Sequence, residues 1–315
     1  MQRVLRPQFA VVVLVVLGLL AAPLPLGAQA GGASVPVTTV VTVLGPKYTP
    51  APAVSKDDIS VYTGKTKETV TDWYPAQGDK ARLQLAIVLD DALETSFGIQ
   101  LNDIRAFINS QPPTTAVGVF YARNGTVQVA SQFSTNHDAV AKSVRIPLGY
   151  FGAYSSIYLS LMDFMKRWPV TPGSRREILL LADGIDRFRG DYPHSPDVDS
   201  TARAAQRDGV MIHSIFCTGV GGFSRNLFRI GLAQGNLGEI TDATGGEAFF
   251  QGFQTPVSLA PFLDQLNVVL KNQYWLSFTT APAKNSKGDL RRFRVRTELK
   301  GVELSMPDNI FVPYS

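Results

Sequence analysis

The stretch Leu85-Ala86-Ile87-Val88-Leu89-Asp90-Asp91 decides the fold. Its apolar run stops abruptly on two carboxylates. A strand with one wet face would alternate polar and apolar residues, whereas an unbroken run fits a strand buried on both faces, inside a parallel sheet covered by helices. The signature recurs at 178–181, followed by Ala182-Asp183-Gly184, and at 210–217, which ends on Cys217. Helical spacing fills the intervals: Ile99, Leu101, Ile104, Phe107 and Ile108 form one apolar stripe, and Ile157, Leu161, Phe164, Met165 and Trp168 another. Residues 116–122 read as a strand that Asn124-Gly125 turns back into 126–133. Asn136-His137-Asp138 caps a short helix, and Pro196, Asp197 and Asp199 open a further one with acids at its positive end. Beyond 217 the pattern predicts a helical turn over 228–235, a separate helix over 237–244 stopped by Gly245-Gly246, an edge strand at 248–250 and a last helix over 261–271. Strand and helix alternate through this region, which predicts an α/β domain, Rossmann-like, with a doubly wound and mostly parallel sheet and one antiparallel hairpin.

Outward from this domain, over 81–271, the texture changes on both sides. Residues 31–80 contain a Val/Thr-rich strand at 37–43, the turn and linker signals Gly45-Pro46 and Pro50-Ala51-Pro52, and a hairpin from 57 to 73. Residues 272–315 read as three strands, 274–280, 291–298 and 302–306, with Arg292, Arg294 and Arg296 alternating onto a solvated face. The expectation is one small β-sandwich assembled from both ends of the chain, with the α/β domain inserted between its halves. An unpaired strand edge at 37–43 or 302–306 would suit a component that assembles through its sandwich.

Residues 1–30 have the plan of a signal peptide. Arg3 and Arg6 form a basic start, 9–20 is apolar apart from Gly18, Pro23 and Pro25 follow, and Ala28-Gln29-Ala30 offers small residues for cleavage before Gly31. The apolar run falls short of the roughly 20 residues a membrane span needs. The expected location is therefore secreted or periplasmic, with no stable membrane anchor after cleavage. The net charge of +4 falls further once Arg3 and Arg6 leave, which argues against a nucleic-acid partner. The single Cys217 lies in an apolar run and reads as a buried structural thiol. His213, in the same run, reads as a buried and hydrogen-bonded histidine.

In open parallel sheets ligands bind at the carboxyl ends of the strands, where the strand order reverses. That rule singles out Asp90, Asp91 and Glu94 after the first strand, Asp183 and Asp186 after the 178–181 strand, and the loop Gly149-Tyr150-Phe151-Gly152-Ala153-Tyr154-Ser155-Ser156. A nucleophile elbow, a Ser–His–acid set and a Lys-bearing phosphate loop are all missing from the sequence, so the expectation is a binding protein and not an enzyme. A hydrolase built on the carboxylate pair Asp90 (or Glu94) and Asp183 is the catalytic alternative, and it needs a deep cleft. Asp191, His194, Asp197 and Asp199 form a second acidic cluster, explained more simply by a helix start.

Four segments together resemble the von Willebrand factor type A domains, and more narrowly the exported bacterial proteins that carry one between flanking β segments. They are 85–91, 179–184, the stretch Ile240-Thr241-Asp242-Ala243-Thr244-Gly245-Gly246-Glu247-Ala248-Phe249, and 272–278. The resemblance implies protein binding, often through a divalent metal held by an Asp-x-Ser-x-Ser motif, a Thr and a further Asp. Those positions fall here on Asp90, Ala92, Glu94, Ser155 (or Ser156) and Asp183. Mg²⁺ needs six oxygens, Ala92 offers no side-chain oxygen, and Glu94 is long and charged. The resemblance thus implies a degenerate metal-ion-dependent adhesion site at Asp90, Glu94, Ser155 and Asp183, with Mg²⁺ as a weak cofactor at best. A protein partner would be met by Asp91, Tyr150, Phe151, Tyr154 and Asp186.

Overall fold

A computed structural model describes residues 34–190 and 195–314. The predicted signal peptide, Asp191 and His194 lie outside the described residues. In chain order the strands are β1 (Val35–Leu44), β2 (Ile59–Thr63), β3 (Thr66–Lys67), β4 (Thr69–Pro75), β5 (Leu83–Asp90), β6 (Thr115–Arg123), β7 (Thr126–Ser134), β8 (Arg175–Ala182), β9 (Val210–Phe216), β10 (Ala248–Phe249), β11 (Gln273–Thr280), β12 (Asp289–Thr297), β13 (Glu303–Ser305) and β14 (Asn309–Val312). The helices are α1 (Leu101–Asn109), α2 (His137–Lys142), α3 (Ile157–Arg167), α4 (Pro196–Asp208), α5 (Leu227–Thr244) and α6 (Ala260–Lys271).

Strands β5 to β10 form one sheet in the order β10-β9-β8-β5-β6-β7, parallel except for the β6–β7 hairpin. The doubly wound sheet expected from 85–91 is present. The physical cause is visible in β5 itself. Leu85, Ile87 and Leu89 join one core with α1 and α6, while Ala86 and Val88 join the other with α3, α4 and α5. Burial on both faces requires apolar residues at every position. Cys217 and His213 are fully buried, and burial, then Asp183, pushes the thiol pKa far above its usual value. An unreactive structural thiol follows.

The region beyond β9 differs from the sequence expectation. One continuous helix, α5, replaces the two short ones. Gly231, Gly235 and Gly238 lower its propensity, but Ile230, Leu237 and Ile240 anchor it in the core. The Asn226 side chain caps its start by accepting from the backbone N–H groups of Phe228 and Arg229, and Gly245 ends it at φ 79°.

The remaining strands make two further sheets, β13-β1-β11-β4 and β14-β12-β2-β3. They share a core that includes Val41, Val61, Leu276, Phe278, Phe293 and Val295, with Phe278 and Phe293 stacked at 5.6 Å between centroids. Both ends of the chain interleave here: β11 lies antiparallel between β1 and β4. Strand β13 pairs with the other side of β1. That pairing covers only Thr42–Leu44, so residues 37–41 have no strand partner on that side among the described residues, and β13, within 302–306, is itself the edge of the sheet. Strand β14 escaped the sequence pattern because it is short and lies between Pro307 and Pro313.

Candidate functional site

The strand order reverses between β5 and β8: the chain goes from β5 to β6 on one side and later returns through β8 to β9 on the other. Asp90 ends β5 and Asp183 follows β8, so the two carboxylates stand at the switch point, where an open sheet offers its crevice. Both are buried, at 6% and 1% exposure. Two carboxylates buried this deeply need a compensating positive charge, from a cation or a bound proton. Arg187 supplies it. Its Nη1 donates to Asp183 Oδ1 at 3.2 Å and its Nη2 to Oδ2, a two-pronged pair. Nη2 also donates to the Val220 carbonyl at 3.2 Å and to Ser224 Oγ at 3.1 Å, and that hydroxyl donates on to Asp183 Oδ2 at 3.1 Å. The turn after β8 places Arg187 by a backbone hydrogen bond from its N–H to the Ser155 carbonyl, 3.0 Å.

The electrostatics follow from this arrangement. Burial, then the neighbouring Asp183, raises the Asp90 pKa to about 7; Arg187 and the Ala92 N–H, which donates to Asp90 Oδ1 at 2.8 Å, oppose the rise. For Arg187, burial disfavours the charge, but Asp183 and then Asp90 outweigh it and hold the guanidinium pKa above its ordinary value.

Backbone closes over the cluster. Val220 N–H donates to the Ala92 carbonyl at 2.8 Å and Glu94 N–H to the Thr218 carbonyl at 3.1 Å, with a bridge between Leu93 and Gly219. A Cβ on Gly219 would lie 2.0 Å from Asp183 Oδ2 and 2.8 Å from Arg187 Nη2. Glycine is needed there because the loop lies directly on the ion pair.

The expected metal ligands do not assemble. Ala92 is buried and contributes nothing. Glu94 accepts from Ser96 Oγ at 3.4 Å and lines a groove with Gln100, Arg225, Phe253 and Val257. Asp183 already accepts from Arg187, Ser224 and the Ile185 N–H. Ser155 is buried beside them, and Ser156 caps α3 instead. Among the described residues no three His, Cys, Asp or Glu side chains come together as a metal-binding group. The donor set does not fit a divalent ion.

Two residues expected on the partner-facing rim are buried. Asp91 forms a two-pronged ion pair with Arg145, at 2.7 and 2.9 Å, and accepts the Leu148 N–H at 3.2 Å. Asp186 accepts the N–H groups of Phe188 and Arg189 at 3.1 and 3.0 Å, and burial raises its pKa. Both are loop braces: each carboxylate satisfies backbone donors that water would otherwise have to reach.

The aromatic loop does face solvent. Tyr150, Phe151 and Tyr154 are exposed, and Phe188, which sequence reasoning missed, joins them at 5.5 Å from Tyr154. Arg123 lies 4.4 Å from the Tyr150 ring centre, and Arg187 lies 5.2 Å from that of Phe151. The loop is clamped to the β6–β7 turn, where Asn124 Oδ1 accepts the Tyr154 N–H at 2.9 Å. Gly149 turns at φ 70°, a conformation that favours glycine. Ile99, Leu227, Phe253 and Val257 stand exposed around a groove of about 640 Å³ that Thr218 and Ser224 also line.

No family model matches this chain, and no curated protein matches it. Among solved structures the chain is similar to an aerotolerance-related membrane protein from Bacteroides fragilis, at 12% identity over 60% of this chain and 98% of that one, TM-score 0.41. It is also similar to the conserved hypothetical protein BatB from Bacteroides thetaiotaomicron, at 12% identity over 60% of this chain and 99% of that one, TM-score 0.42. The SpRpn10 VWA domain is similar at 12% identity over 60% of this chain and 97% of that domain, TM-score 0.40.

Proposed function

We propose that this type A-like protein is an exported module that binds a protein partner through the rim at the carboxyl end of its parallel sheet, with no metal ion as the link. The supporting observation is where apolar surface is left in water. Tyr150, Phe151, Tyr154 and Phe188 are exposed, with Tyr154 against Phe188 and Phe151 against Arg187, while Ile99, Leu227, Phe253 and Val257 are exposed around a groove that Ser224 also lines. Val257 is 89% exposed and Tyr154 57%. Soluble monomers leave single apolar residues exposed without consequence, but contiguous patches mark interaction sites. Tyrosine and arginine side by side are the residue types that dominate protein interfaces.

The binding reading also accounts for the closed cluster. A hydrolase using Asp90 and Asp183 needs substrate to reach both carboxylates, and the 218–220 backbone lies over them. A rigid rim needs no such access. Export rests on the plan of residues 1–30 and would put the rim in the periplasm or outside the cell.

A photo-crosslinking amino acid at position 154, in the full chain expressed with its own leader, tests the reading. Discrete protein adducts at position 154, lost with Phe188→Ala and absent when the probe is moved to position 294 on the sandwich, would support it. Equal labelling at both positions, or hydrolytic turnover that disappears in Asp183→Asn, would sink it. Sequencing of the mature N-terminus, expected at Gly31, checks the export half separately.

A further inference from the structure

We propose that Arg187 is a resident cation, built into the chain at the place where a divalent ion would otherwise be needed to hold the rim together. The inference is independent of what the rim binds.

A divalent ion in such a rim would have two jobs: neutralising carboxylates brought together at the switch point, and tying separate loops to one centre. Arg187 does both. It neutralises Asp183 through two nitrogens, with the buried Asp90 next to the pair. It ties the loop after β8 to the loop after β9 through the Val220 carbonyl and Ser224 Oγ, and to the aromatic loop through its own N–H on the Ser155 carbonyl and its guanidinium on Phe151. The side chain is 3% exposed, so it is no surface residue that happens to lie nearby. Its Nε is buried without a hydrogen-bond partner, so charge rather than complete hydrogen bonding holds the group there.

The consequences for the rest of the site are chemical. A metal ion keeps an open coordination position that a ligand carboxylate can fill. A guanidinium engaged by a carboxylate, a carbonyl and a hydroxyl has none, and Gly219 lies against it. Ala92, which would be a lost ligand in a metal site, is no defect here: its carbonyl accepts the Val220 N–H that closes the loop. Cation, missing hydroxyl and glycine lid are thus mutually consistent: Arg187 supplies the charge, Ala92 offers no side-chain oxygen, and Gly219 lets the loop lie on the pair.

The test is thermal unfolding of the mature protein with EDTA, Mg²⁺ or Mn²⁺, together with direct Mn²⁺ binding followed by electron paramagnetic resonance. Wild type is expected to show the same Tm in all three conditions and no stoichiometric Mn²⁺ binding. Arg187→Ala is expected to lower Tm in EDTA by about 10 °C. It is also expected to gain a Mn²⁺ response, with Tm rising about 3 °C at a concentration near ten times its dissociation constant. Arg187→Lys keeps a cation and should show no Mn²⁺ response. The double variant Asp183→Asn with Arg187→Leu removes both charges; it should be more stable than Arg187→Ala in EDTA and indifferent to Mn²⁺. Stoichiometric Mn²⁺ binding by wild type overturns the proposal, as does an Arg187→Ala protein that is unchanged in stability and blind to Mn²⁺. If Arg187→Ala does not fold in any buffer, wild type and the double variant still decide: a double variant that binds Mn²⁺ or is itself unable to fold counts against a role in charge neutralisation.

Discussion

The parallel sheet buries an arginine–carboxylate cluster at each end, and the two are built differently. At the carboxyl end stand Asp90, Asp183 and Arg187. At the amino end, Arg175 and Glu177 open β8 and meet His213 and Gln273, all of them buried. Glu177 Oε2 accepts from His213 Nε2 at 2.8 Å and from Gln273 Nε2 at 3.1 Å. His213 Nδ1 accepts the Glu247 N–H at 3.0 Å, which assigns the ring proton to Nε2. Arg175 donates to the carbonyls of Leu270 and Ala81 at 3.0 Å each and to Gln273 Oε1. Gln273 belongs to β11, so a strand of the sandwich caps the amino-end cluster. Only loops cap the carboxyl-end cluster. The same chemistry thus serves as an internal joint where another layer covers it, and as the foundation of a surface where none does.

Removing each arginine measures that difference. Arg175→Ala is expected to cost about 5 kcal/mol, the upper part of the range for breaking a buried pair, because the buried Glu177 would lose the guanidinium 3.6 Å away. Arg187→Ala is expected to cost about 3 kcal/mol, since loops can part and admit water to Asp183. Urea unfolding of both variants gives the comparison, and equal costs would break it.

The pH response should have opposite signs at the two ends. Asp90 has its folded pKa raised to about 7, by burial first. The folded state then binds a proton that the unfolded state has released, so its contribution is full below about pH 4, declines as pH rises and levels off above about 7. Asp90→Asn should flatten that decline, an effect on the order of 2 kcal/mol. For Glu177, burial raises the pKa, but His213 and then Arg175 outweigh it and the net shift is downward. Its contribution is present above the ordinary glutamate pKa and is lost as pH falls through the lowered folded value. Glu177→Gln should therefore remove stability near neutral pH and weaken the acid transition. Unfolding curves from pH 3 to 8 would show both, and slopes of the same sign would contradict the assignment.

The smallest change in stability belongs to the exposed aromatics. Tyr154→Ala with Phe188→Ala should alter unfolding free energy by less than about 0.5 kcal/mol, yet reduce crosslinking to a partner from a probe moved to position 150 by about tenfold or more. A large loss of stability would mean that these rings hold the fold and not a partner.

Of this contrast, residues alone show the buried strands, Asp90, Asp183 and a buried His213, while Arg187, Arg175, Glu177 and Gln273 went unread, for a common cause. The run 85–91 announces a doubly buried strand because every position is apolar, and Asp90 and Asp183 stand out because they end such runs. Arg187 did not, since it lies in an irregular turn with no period to predict where its side chain points. Asp91 looked like a surface acid because its partner, Arg145, is 54 residues away in sequence. Phe188 comes beside Tyr154 only after two loops meet. The aromatic loop was legible because its glycines and rings are adjacent in the chain, whereas the charged cluster beneath it is assembled entirely by the fold. The break expected between 235 and 237 erred in the opposite direction: α5 runs through it because core packing at Ile230, Leu237 and Ile240 overrides local propensity.

The interleaved sandwich has a consequence for how the molecule folds. Pro75 and Tyr274 lie opposite each other on β4 and β11, so the inserted segment leaves and re-enters at one place. In an unfolded chain, bringing such distant residues together carries a loop-closure entropy that grows with the logarithm of their separation. A folded α/β unit has already brought them together. The segment between β4 and β11 would then act as the clasp that lets the sandwich strands before and after it find their register, and the sheet containing β1, β11 and β4 is expected to form last.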